Sequence, residues 1–304
     1  MPLLGAPVLA ILIGIGLGTA RRPSPAAATG IAFSATRLLQ VAIVLLGTSL
    51  GLGEVVRVGG RSLPVMLGTL AVALVGAVAF GRLLAVSPRL RVLIGVGTGI
   101  CGASAIAAVS GIVEASGAEI AYAISTIFVF NVVAVVLFPA LGHLFHLSQH
   151  GFGLWAGTAV NDTSSVIATA YAYGHSAGVQ AVVVKLTRTT LIVPIALALS
   201  ALRAGAGRSD SERRVRITRL VPGFLVWFVI ASALDTAGMI PSALHRPLSD
   251  AALALITIAL AGVGLSSDLV QMRRVGVRPL LLGALLWVSV ACASLLLQAL
   301  TNQL

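Results

Sequence analysis

The chain reads as an all-α, polytopic membrane protein, and three observations carry that reading. Of its 304 residues 58% are hydrophobic and only 10% are charged, whereas a soluble domain is about a quarter charged. The mean hydropathy is +1.05. Ten apolar stretches, each long enough to cross a bilayer, alternate with short polar connectors.

Those stretches are expected at 2–20, 34–53, 63–84, 92–113, 119–141, 151–173, 178–201, 217–236, 250–268 and 279–301. The first lacks a basic segment before it and is followed by Arg21 and Arg22, so it reads as a retained span rather than a cleaved leader. The second follows Arg22, and the third runs from beyond Arg57 and Arg61 to Arg82. The fourth opens after Arg89 and Arg91 and ends at Glu114, and the fifth runs from Glu119 to His143. The sixth carries Asn161 and Asp162, and the seventh carries Lys185 and Arg188. The eighth follows the only charged run, the basic loop 202–216, and the ninth and tenth flank Arg273, Arg274 and Arg278. The basic loop reads as a solvated connector with no chemistry of its own.

The net charge of +11 raises the question of nucleic acid, but 19 of the 20 basic residues are Arg and most lie in the connectors. There they mark the cytoplasmic face, so no nucleic-acid partner is expected. The odd-numbered connectors hold most of the Arg, which puts both termini outside a plasma membrane. The fifth connector, with His143, His146 and His150 but no Arg, does not vote. Cys101 and Cys292 are far apart and inside apolar stretches, which gives no disulfide framework and no metal-ligand spacing.

Residues 97–108 resemble residues 157–168 at an offset of 60, and the match extends with one residue of slippage to Gly81/Gly142 and Ser87/Ser148. A weaker similarity pairs Gly47, Leu50, Gly59 and Arg61 with Gly262, Leu265, Gly276 and Arg278. Repeats of this kind are frequent in secondary transporters, whose sites lie at the repeat interface. On a ten-pass path the first pair runs parallel and the second inverted, which is inconsistent, and chance similarity among small-residue helices is the alternative. Both segments place Gly97, Thr98, Gly102, Ser104, Asn161, Thr163, Ser164 and Ser165 in mid-span. Glycine allows helix unwinding, which hydrocarbon tolerates only around a cavity or inside protein. For the glycines alone close packing through small residues is the plainer reading, but Asn161 and Asp162 inside one segment turn the balance toward a ligand site.

Three charges stand in mid-membrane: Asp162, Lys185 and Arg188. Each costs at least about 2.5–3.5 kcal/mol there, so such residues are kept for pairing, ion binding or proton relay. Lys185 and Arg188 share a helix face. Two cations against one carboxylate leave a positive residue that invites an anion, while a buried ion pair with no transport role is the alternative.

The stretches Thr98-Gly99-Ile100-Cys101-Gly102-Ala103-Ser104, Trp155-Ala156-Gly157-Thr158-Ala159-Val160-Asn161-Asp162-Thr163-Ser164-Ser165 and Val184-Lys185-Leu186-Thr187-Arg188, with Pro194 after them, resemble the YeiH-type sulfate-exporter family over nearly the whole chain. That family often has His where this chain has Asn161, so a histidine-based proton role is not carried over. The resemblance to it, and through it to the cation/proton antiporter and bile-acid symporter group, implies two inverted bundles with broken, crossed core helices.

The expected function is secondary export of a small anion such as sulfate or a sulfonate. Lys185 and Arg188 would be the binding cations, with Gly97, Thr98, Gly102, Ser104, Asn161, Thr163, Ser164 and Ser165 as neutral lining. Asp162 would couple a proton or sodium ion. Cation antiport through Asp162 is the second expectation. An intramembrane enzyme is the weakest, because no nucleophile stands beside a base and no metal ligands are spaced for one. No cofactor is expected, and a homodimer is a candidate assembly.

Overall fold

The computed structural model describes residues 6–20, 24–205, 222–266 and 276–304. Every regular element among them is a helix. In chain order they are α1 (Ala6–Ala20), α2 (Pro25–Phe33), which runs through a π-helical turn at Ser34–Leu38 into α3 (Leu39–Gly47), and α4 (Leu52–Leu83). Then come α5 (Pro88–Gly99), α6 (Ala103–Ser110), α7 (Gly117–Leu144), α8 (Gln149–Ala159), α9 (Thr163–Tyr173) and α10 (His175–Thr190). The last are α11 (Ile192–Gly205), α12 (Gly223–Thr236), α13 (Ser242–Leu265) and α14 (Val277–Leu300). Most of the basic loop 202–216, and Arg21, Arg22, Arg273 and Arg274, lie outside the described residues.

Ala27–Gly47, Leu52–Leu83, Gly117–Leu144, His175–Ala201, Ser242–Leu265 and Val277–Leu300 are long and apolar enough to cross a membrane, and Leu9–Ala20 and Gly223–Thr236 are shorter apolar helices. The chain is a polytopic helical membrane protein.

The expected stretches 92–113 and 151–173 take a different path, because each folds back as a helical hairpin instead of passing through. Ser87 Oγ donates to Glu119 Oε1 at 3.0 Å, and Arg89 pairs with Glu114 at 3.9 Å. A continuous helix would hold Ser87 and Glu119 roughly 48 Å apart at 1.5 Å per residue. A Cβ on Gly97 would lie 3.0 Å from the side chain of Ile106, so α6 runs back along α5. The second hairpin closes in the same way. The Gln149 side chain donates to the carbonyl of Tyr173 at 3.3 Å and accepts from the Ala177 amide at 3.0 Å, joining the start of α8 to the end of α9.

These two hairpins enter from opposite faces. α5–α6 opens at the start of α7 and α8–α9 opens at its end, and α7 is 28 residues long, or about 42 Å. Arg82, Arg89 and Arg91 surround the first opening, and the span His175–Ala201, which starts beside the second opening, ends on the same face, which we call the basic face. The acidic fourth connector thus lies on the basic face and the histidine connector on the opposite one, where a ten-pass path would reverse both.

This geometry also removes the inconsistency between the two sequence similarities, since segments 97–108 and 157–168 now run in opposite directions. The backbone repeats as well. Ser87 and Ser148 both cap the following helix with their hydroxyls, accepting from Leu90 and Gly151 amides at 3.3 and 2.9 Å. Ala85 and His146 both adopt positive φ, 51° and 52°. Val86 N donates to Gly81 O at 2.9 Å and Leu147 N to Gly142 O at 3.0 Å, the six-to-one closure of a Schellman turn in each case.

Candidate functional site

The hairpin tips are short irregular breaks, Ile100-Cys101-Gly102 and Val160-Asn161-Asp162, that occupy matching places in the two similar segments. Gly102 has φ +68° and ψ −127°, a conformation that L side chains rarely adopt, which is why glycine stands there. A Cβ built on it would lie 3.4 Å from Asp162 Cβ, so the two tips touch. At the second tip, Asp162 is the N-cap of α9: its carboxylate accepts from the Ser164 amide at 3.0 Å and from the Ser164 hydroxyl. A carboxylate at a helix N-terminus satisfies a free amide and complements the helix dipole.

Lys185 and Arg188 come from α10, which runs beside α8 with the close approach that Gly157 permits; a Cβ there would be 2.7 Å from Val184. Both are fully buried. Lys185 Nζ donates to Ile100 O and to Val160 O, each at 2.9 Å, and so holds one carbonyl from each tip. Those carbonyls are the C-terminal ends of α5 and α8, where helix dipoles place partial negative charge. Arg188 Nη1 donates to Thr158 O, while Nε and Nη2 have no partner among the described residues. α10 stops at Thr190, since Pro194 supplies no amide donor and its ring disfavours helix back to residue 190.

The tips bring together Gly102, Asn161, Asp162, Ser164, Lys185 and Arg188. No salt bridge joins Asp162 to either base among the described residues. Asn161 is 1% exposed, and its side-chain oxygen has no donor among the described residues. Thr98 and Ser165 are buried on the hairpin arms, and the Ser165 carbonyl is used by Thr169 at 2.7 Å. Gly97 packs against Ile106 and Ile127 rather than facing the tips. Ser104 is exposed on α6, and Thr163 is half-buried beside Asp162.

Sequence reasoning missed two supports. Asn131 of α7, 1% exposed, accepts through Oδ1 from the amides of Asn161 at 3.1 Å and Asp162 at 3.4 Å, fixing the second tip. Its signal was plain: an amide side chain inside the apolar stretch 119–141. Ser294 and Gln298 of α14 are also fully buried. Ser294 shares a 2.7 Å hydrogen bond with the Thr158 hydroxyl, and with its amide turned to satisfy both ends Gln298 accepts from the Ser294 hydroxyl at 3.0 Å, so α14 braces the residue whose carbonyl holds Arg188.

The family model described as Conserved hypothetical protein 698 matches residues 1–283. The chain is similar to a UPF0324 membrane protein of Streptococcus agalactiae serotype V, 41% identical over 98% of this chain and 91% of the relative. It is similar to another of Streptococcus pneumoniae strain R6, also 41% identical, over 98% and 90%. No solved structure matches the chain.

Proposed function

The chain belongs to the UPF0324, YeiH-type family of membrane proteins, and on that premise we propose that it is a secondary transporter of a small oxyanion, sulfate or a sulfonate, exporting it across the plasma membrane. One observation carries this reading: Arg188 is fully buried at the hairpin tips with two guanidinium donors unused. An unpaired donor costs free energy in a dry site, and the planar guanidinium presents such donors as a fork that fits an oxyanion. The carboxylate of Asp162 is engaged by Ser164 instead of by Arg188, which supports an excess of positive charge at the site. Asp162 is the coupling group in this reading. In that role it would take up the proton that moves with the anion, which links the two bindings.

Cation exchange at Asp162 is the second reading, and the buried Asn161 oxygen without a donor is the observation that favours it. Thermal unfolding of the purified protein separates the two, because a ligand bound only by the folded state raises the apparent stability. Sulfate, thiosulfate and taurine should raise the midpoint in a saturable way and sodium should not; stabilisation by sodium alone would overturn the anion reading.

A further inference from the structure

Among the described residues Lys185 is the one side chain that donates to both hairpin tips, and the hairpins it joins open toward opposite faces. We propose that Lys185 is a single bolt shared by two gates: α5–α6, which opens toward the basic face, and α8–α9, which opens toward the other. Moving the first gate separates Nζ from Ile100 O; moving the second separates it from Val160 O. Each bond is 2.9 Å long, and the ammonium has no exposed surface.

Sharing the bolt makes the gates exclusive. With one hairpin displaced, the ammonium keeps the carbonyl of the other tip, at the negative end of a helix dipole. With both displaced it is left in the membrane interior with neither acceptor, the arrangement that buried charge avoids. Three further contacts localise the motion to the tips. Gly102 lies against Asp162, and the arms of each hairpin are closed at their mouths by Ser87–Glu119 and Gln149–Tyr173, away from Lys185. The role assigned to Lys185 therefore differs from that of Arg188: it governs access, and Arg188 holds the anion. This inference deepens the transporter reading and rests on it only for what passes the gates.

The test uses the full chain in sealed vesicles of known orientation, without Cys292 and without any substrate anion. Cys101, 2% exposed at the first tip, reports on the first gate. In a second protein, with Cys101→Ala, Ser165→Cys, 3% exposed in the parent, reports on the second. A membrane-impermeant maleimide should label both slowly. In Lys185→Met, which keeps length and loses the donors, both should label roughly tenfold faster or more, the factor that one charge-assisted hydrogen bond represents. Cys101 should react from the basic face alone and the Ser165→Cys thiol from the other face alone. Unchanged rates in an inserted Lys185→Met protein, or both thiols reacting from one face, overturn the proposal. If Lys185→Met does not insert, the protein that retains Lys185 and both thiols decides: a bulky adduct at one tip should slow labelling of the other, and an unchanged or faster rate overturns the bolt. Because no arm contains sulfate, a failure here is separate from a failure of sulfate to bind.

Discussion

Replacement of Arg188 tests the proposed anion site most directly, and the structure sets the size of the effect. Nη1 is committed to the Thr158 carbonyl, which leaves Nε and Nη2 for a ligand. A hydrogen bond to a charged group contributes about 1.5–3 kcal/mol, so losing a pair in Arg188→Ala costs about 3–6 kcal/mol, or about 140-fold to 20 000-fold in Kd. Arg188→Lys keeps the charge but offers a point donor on a flexible stem instead of a fork. It should recover about half of that free energy, because one of the two bonds can be remade. Radiolabelled sulfate binding to monodisperse detergent-purified protein measures both variants. A folded Arg188→Ala protein whose Kd lies within about threefold of the parent would refute the reasoning, since that is under 1 kcal/mol.

The hairpin path predicts that single cysteines at Ala118 and Ala201 label from one face and at Ser176 from the other; a ten-pass path groups Ala118 with Ser176 instead. Asp162→Asn keeps a good helix N-cap while removing the carboxylate, so sulfate should still bind but should no longer carry a proton with it across sealed vesicles; proton movement equal to the parent's excludes Asp162 as the coupling group. Ser294→Ala removes the partner of Thr158 and of Gln298, both buried. It should destabilise the protein by about 0.6–1.7 kcal/mol, the range of hydrogen bonds between membrane helices, and a thermal midpoint equal to the parent's would show that the bond contributes nothing.

Composition made the membrane class and the apolar stretches legible, but the path of two of them was hidden for a physical reason. The stretch 92–113 has the length and apolarity of a crossing helix, and a hairpin of the same length has the same composition. What separates the two is tertiary: Ser87 reaching Glu119, and Gln149 reaching Tyr173. Traces of the hairpins were nonetheless present, as the similarity at offset 60 ran the wrong way for an inverted pair and the histidine connector carried no Arg. The mid-membrane charges were legible from their cost alone. Their partners were not, because Lys185 and Arg188 bind main-chain carbonyls of residues 100, 160 and 158, and any side chain could stand at those positions. Asn131 could have been found by the same cost argument that singled out Asp162.

The electrostatics of the four helix ends at the tips bear on the sign of the ligand. α5 and α8 bring C-termini and partial negative charge; α6 and α9 bring N-termini and partial positive charge. These contributions roughly cancel in pairs, so the side chains decide the balance. Lys185 takes the two C-terminal carbonyls, and Asp162 caps the N-terminus of α9. At the N-terminus of α6 the capping residue is Gly102, which has no side chain to offer. Arg188 adds a further cation at the same depth, satisfied at one nitrogen. A sodium ion entering this arrangement would find the single free oxygen of Asn161, and for every further ligand it would have to displace the ammonium of Lys185 or share the carboxylate that Ser164 already engages. An oxyanion would meet an unused guanidinium edge without breaking any of these bonds, and this asymmetry favours an anion as the ligand.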